Sequence, residues 1–185
     1  HPKNVSEYMC EQHLYTPVPT LSAVLRESKS RFLGETGPYY TCAISDNKDI
    51  FAREYPRLAR LWDEYLPTYK RNIQHHQTDT YLQTWVQVSR ELCSTWFNRD
   101  FTLEQWSDFK FGVNVICSSI YKEVIEYCRI DRPNKTGVMW WSLADMWQML
   151  FNYSVIDSEG GKKMPYYWIK QSQQPYALMM VRYEL

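Results

Sequence analysis

The sequence predicts a helix-rich α/β fold in which two buried strands are joined in parallel by a long helical crossover. Three observations carry this. Residues 30–34, SRFLG, form an apolar run too short for a helix and closed by Gly34. Residues 136–143, TGVMWWSL, form a continuous apolar run after a Pro-Asn turn, the pattern of a strand buried on both faces. Between them lie three stripes with helical spacing. Parallel strands need a crossover of a dozen or more residues, and the order strand, helices, strand, helix is β/α grammar.

The elements follow in order. Residues 1–17 are mixed in character and lead to Pro17 and Pro19. Residues 20–25, TLSAVL, look like the start of a short helix. After the first strand, residues 37–49 hold Gly37, Pro38, Asp46 and Asn47, a loop signature. The first stripe is Phe51, Tyr55, Leu58, Trp62 and Tyr65, ending before Pro67. The second is Leu82, Trp85, Ser89, Leu92 and Trp96. The third and clearest is Trp106, Phe109, Val113, Ile116, Ile120, Val124 and Tyr127. Thr102 and Gln105 stand at capping-box spacing before it, and Pro133 stops it. Gly112 is a candidate for a bend or break. Residues 152–163, NYSVIDSEGGKK, read as a loop, and 164–183 as one more helix with an extended tail.

Composition narrows the function. The 185 residues suffice for one domain with a sizeable core. Lys+Arg 21 balances Asp+Glu 21, so there is no basic face for nucleic acid. No long apolar span and no signal peptide are visible, so no membrane insertion is expected. Five cysteines, odd in number and scattered, make neither a disulfide framework nor a zinc pair, and are expected to be buried free thiols. The triplets beginning at Asn4, Asn134 and Asn152 match the glycosylation pattern at a level chance supplies. Adjacent His75 and His76 point to different helix faces with no third ligand nearby, so no metal site is expected. The 8 Trp and 15 Tyr suit either sugar faces or a core.

In parallel β/α folds, ligands meet the carboxyl ends of strands. The first strand ends at Glu35, the second in Trp141-Ser142-Leu143-Ala144-Asp145-Met146-Trp147. A carboxylate at one strand end beside an aromatic wall at the next is the layout of a carbohydrate site. The acid attacks an anomeric carbon, and the ring covers a sugar face. Strand-end acids also cap loops and helices, so pattern alone leaves both readings open.

Several motifs together resemble one family. They are the Gly34-Glu35-Thr36-Gly37 turn, His75-His76-Gln77, the strand from Gly137 through Trp147, and Tyr153-Ser154-Val155-Ile156-Asp157 followed by Tyr166-Tyr167. Across roughly residues 25–183 these resemble the C-terminal part of the catalytic barrel of glycoside hydrolase family 2, nearest its β-mannosidase and exo-β-glucosaminidase branch. The resemblance implies strands seven and eight, with their helices, of a (β/α)8 barrel. It implies Glu35 as catalytic nucleophile and Trp141 as the floor of the terminal-sugar subsite. Asp145 and Trp147 match residues just beyond that floor. His13 and Tyr15 match the strand-six region lining the pocket. No cofactor is implied.

Two departures matter. Ala144 stands where the family usually has Asn, so the substrate is not inherited with the fold. The family's acid/base Glu follows an Asn at the end of strand four, and this sequence contains no Asn-Glu pair. The chain, 1–185, is therefore expected to be the C-terminal portion of a catalytic domain, without the upstream barrel strands and β-sandwich domains. Alone it is expected to be inactive. Its expected partners are a carbohydrate and, across its open strand edges, the rest of the barrel or a second copy. Two functions are carried forward: part of a retaining exo-β-glycosidase of the β-mannoside or β-galactoside class, or a noncatalytic sugar-binding relative. The compartment is open: periplasmic, extracellular and lysosome-like settings fit, and free cysteines also fit the cytoplasm.

Overall fold

A computed structural model describes residues 11–16, 21–38, 43–62 and 78–180. The elements are β1 (Glu11–Thr16), α1 (Leu21–Glu27), β2 (Phe32–Pro38), β3 (Ala43–Ile44), α2 (Lys48–Trp62), α3 (Thr78–Phe97), a 3₁₀ turn (Leu103–Gln105), α4 (Trp106–Ile130), β4 (Gly137–Trp140), β5 (Phe151–Asn152) and α5 (Met164–Ser172). The histidine pair, Tyr65, Pro67, Cys10, Cys42 and the Asn4 triplet lie outside the described residues.

The sheet has three parallel strands in the order β1-β2-β4, and among the described residues it does not close into a barrel. The pattern reading of two strands is corrected: residues 11–16, mixed by pattern and matched to a strand-six region only by the resemblance, form β1 against β2. β1, EQHLYT, has no regular alternation of apolar and polar residues, so its strand character comes from the ladder beside it. β2 begins later than expected and runs past Glu35 to Pro38. The expected loop at 37–49 contains β3, which pairs antiparallel with β5.

β4 is the sharper departure. A strand buried on both faces was expected, but Met139 is 56 % exposed. Among the described residues β4 has only β2 as a strand neighbour, so it stands at the edge of the sheet.

The helices form where their stripes predict them, but Tyr55 on α2 and Trp96 on α3, both stripe residues, are exposed. α4 buries Phe109, Val113, Ile116, Ile120 and Val124 in the main core with Leu58, Trp62, Trp85 and Leu33. Before it, the Thr102 backbone N–H donates to Gln105 Oε1 at 3.2 Å, as the capping-box spacing anticipates. Gly112 does not split α4, which runs unbroken through it. It lets α3 approach: a Cβ there would lie 2.6 Å from Cys93 Sγ and 2.9 Å from a Phe97 ring carbon. α4 also buries a second face. Tyr121 and Ile125 join Val155 and Ile169 in a smaller cluster beneath the loops that follow β4. No helix among the described residues is long and apolar enough to cross a membrane.

Candidate functional site

β2 carries an irregularity where the candidate acid sits. Gln12 pairs with Leu33, but His13 pairs with Glu35, so Gly34 is passed over. On the other side Leu33 pairs with Val138 and Thr36 with Trp140, so Gly34 and Glu35 face Met139 alone. One extra residue in β2 against both neighbours is a β-bulge, which re-aims a side chain and is over-represented beside active sites. The bulge breaks the two-residue alternation: Leu33 and Thr36 are both buried, and Glu35 is half-buried between them.

The register and one backbone bond bring three of the predicted residues, His13, Tyr15 and Trp141, near Glu35 along the backbone. His13 lies opposite Glu35 and Tyr15 opposite Gly37 on the β1 side. On the β4 side the Trp141 N–H donates to the Thr36 carbonyl at 2.7 Å, one residue from Glu35. The Trp141–Ser142 peptide is cis. Trp141 and Trp147 are 51 % and 63 % exposed, so both rings stand at the surface rather than in the core.

Asp145 is placed differently from an open sugar ligand. Its side chain is fully buried and ion-paired to Lys163, with Nζ 3.0 Å from Oδ2. Its other oxygen accepts from Asn152 Nδ2 at 2.5 Å and from the Ser154 hydroxyl. Lys163 Nζ also donates to Ser154 Oγ at 3.0 Å. Burying two charges is costly unless each is paired and hydrogen-bonded, and both conditions are met here. Backbone bonds lace the same segments: Val155 N–H to Ser142 O, Ile156 N–H to Leu143 O, and Asp145 N–H to Ile156 O.

Asp157 closes the next turn. Its carboxylate accepts from Ser45 Oγ at 2.8 Å and from the Glu159 and Gly161 N–H groups at 3.0 and 2.7 Å. Gly160 has φ +85°, and a Cβ on Gly161 would lie 2.5 Å from Asp157 Oδ2, so both glycines are required by this turn.

The sequence reading missed three contributors: Tyr121, Ser154 and Lys163. Lys163 stands in GGKK, which reads as a solvated turn; nothing local announces that it is 1 % exposed. The Tyr121 signal was present. Cys117, Tyr121, Ile125 and Cys128, all buried, form a second helical stripe on α4 beside the one described. Among the described residues no cluster of three His, Cys, Asp or Glu side chains could hold a metal ion. A cleft lined by Cys128, Arg129, Arg132, Gly137, Gln173 and Pro175 lies at the opposite, amino-terminal end of β4 and contains neither Glu35 nor Trp141.

No protein-family model matches the chain, and no curated protein sequence matches it. Solved structures do. A β-D-mannosidase from Dictyoglomus thermophilum superposes with TM-score 0.60 and 15% identity, covering 88% of this chain and 18% of that one. An exo-chitosanase from Amycolatopsis orientalis superposes with TM-score 0.59 and 17% identity, covering 92% of this chain and 20% of that one. This chain thus shares a fold with about a fifth of each of these larger structures.

Proposed function

We propose that this chain is the C-terminal portion of the catalytic barrel of a retaining exo-β-glycosidase of the β-mannoside or β-galactoside class. β1, β2 and β4 are then barrel strands six, seven and eight. The observation that carries the reading is the bulge that presents Glu35 in the middle of the central strand, one residue from the backbone partner of Trp141. The fold shared with a β-D-mannosidase and an exo-chitosanase supports it.

In this reading the Glu35 carboxylate attacks the anomeric carbon as the glycosidic bond breaks, giving a covalent glycosyl-enzyme. A second carboxylic acid, about 5–5.5 Å away, protonates the leaving oxygen and then, as a base, activates the water that releases the sugar. That acid is supplied from outside this chain. Trp141 and Trp147 form the wall that covers an apolar sugar face, and His13 and Tyr15 line the β1 side. Asp145 serves the pocket through the backbone it anchors. The edges of β1 and β4 that have no strand neighbour among the described residues receive the rest of the barrel, or a second copy.

The test is chemical rescue in the full-length protein. Glu35→Ala should abolish turnover of an aryl β-mannoside or β-galactoside. Added azide should restore it by attacking from the vacated face, giving an α-glycosyl azide. A β-glycosyl azide would make Glu35 the acid/base instead. The 185-residue chain alone should be inactive, because general acid help worth about 10²–10⁴ in rate is missing. Sugar binding through the exposed tryptophans, with no turnover in the full-length protein either, would favour the noncatalytic reading.

A further inference from the structure

Trp141 presents a difficulty that its own side chain does not solve. Its ring is half exposed, so packing covers only part of it. A sugar wall must nevertheless be fixed, because a misplacement of about 1 Å can cost about 10²-fold in rate. The backbone on either side of the ring is a second lever on where it stands. The N–H is held by the Thr36 carbonyl at 2.7 Å. The carbonyl is held by a side chain from beneath the sheet: the Tyr121 hydroxyl of α4 lies 2.5 Å from Trp141 O.

We propose that Tyr121 is a positioning residue for the sugar wall, holding the Trp141 peptide in place through its phenolic hydroxyl. The proposal rests on the glycosidase reading of Glu35 and Trp141. Three features make Tyr121 suited to this. It is 1 % exposed, and a buried phenol needs a polar partner. Its ring meets Trp140 edge-on, with centroids 6.1 Å apart, which fixes the direction of the hydroxyl. The same oxygen lies 2.9 Å from the Tyr153 carbonyl. A phenol has one proton to donate, so the two carbonyls share it, and the hydroxyl sits between two chain segments, one following β4 and one following β5. Tyr153 is itself held edge-on by Trp85 of α3 at 5.0 Å. The wall is thereby referred to the rigid helical layer rather than to its own loop.

The experiment uses the full-length protein labelled with 5-fluorotryptophan, the Trp141 resonance being assigned by its loss in Trp141→Phe. Tyr121→Phe removes one oxygen and keeps the ring. In the folded fraction the Trp141 ¹⁹F resonance should shift and broaden, and kcat/KM for an aryl β-glycoside should fall about tenfold, a fraction of what gross misplacement costs. p-Aminophenylalanine at position 121 restores a donor and should return both readouts toward the wild-type values. An unchanged Trp141 resonance in folded Tyr121→Phe overturns the proposal, and so does failure of the amino variant to restore it. A full-length protein without glycosidase activity would remove the glycosidase reading, while the ¹⁹F resonance would still decide whether Tyr121 positions Trp141.

Discussion

Helix α4 buries Phe109, Val113, Ile116, Ile120 and Val124 among apolar neighbours, whereas the segment from Trp141 to Lys163 is held by buried polar bonds. In that segment Asp145 is held by Lys163, Ser154 and Asn152, and Asp157 by Ser45 and two backbone N–H groups. The two regions fail differently when altered. Apolar burial is roughly proportional to area, so its loss is graded with the atoms removed. A buried ion pair is asymmetric: both partners together contribute little net stability, but removing one leaves an unpaired charge in the interior. The helical layer therefore loses stability in proportion to what is removed, and the loop loses it abruptly when one partner of a pair goes.

The largest effect should come from breaking that asymmetry. Lys163→Met should cost about 3–5 kcal/mol, because Asp145 is left buried and charged. Adding Asp145→Asn neutralises the site and keeps an acceptor for Ser154 and Asn152, so the double variant should recover most of that loss. Urea denaturation of the three proteins measures this. A Lys163→Met loss under about 1 kcal/mol would mean that the loop is held by something other than this pair.

The helical side should give a graded series instead. Ile116→Val should cost about 1 kcal/mol and Ile116→Ala about 3 kcal/mol. A second change elsewhere should not rescue either, since no partner is left stranded. Equal losses for the two substitutions, seen in the same denaturation assay, would break the comparison from this side.

The smallest effect at neutral pH, and a clear one in alkali, concerns the thiols of the helical layer. Burial pushes Cys93 up from its ordinary 9.0 to about 11, with Arg99 pulling the other way. Burial likewise pushes Cys128 to about 11, against Lys135 and with Asp131. The folded chain keeps these thiols neutral, whereas the unfolded chain ionises them near the ordinary value. Their contribution is constant below pH 9 and shrinks as pH rises towards 11. Stability curves of the parent and of Cys93→Ala should therefore converge in that window. Parallel curves would show that Cys93 is not held neutral by burial.

The same contrast explains what could be read from the sequence. α4 was legible because its stripe repeats with the helical period. α3 was legible for the same reason; α5 was expected within 164–183 without a stripe, and Pro165 stands in its first turn. β1 was not, because EQHLYT lacks a strand pattern and forms its ladder only once β2 lies beside it. Glu35 could be found as an acid near a strand end, but the bulge that presents it exists only as a register between three strands. Lys163 and Asp145 were illegible as a pair: they are separated in sequence by a loop whose fold brings them together. Apolar periodicity is local and survives reading one residue at a time; polar satisfaction is a property of pairs.

The central claim is that Glu35 is the group that bonds to the sugar. It is tested most directly by treating the full-length protein with a 2-deoxy-2-fluoro β-glycoside and mapping the trapped adduct by peptide mass spectrometry. The account predicts one glycosyl group on the peptide carrying Glu35, fragmenting to that residue and absent in Glu35→Gln. An adduct on any other carboxylate would contradict it.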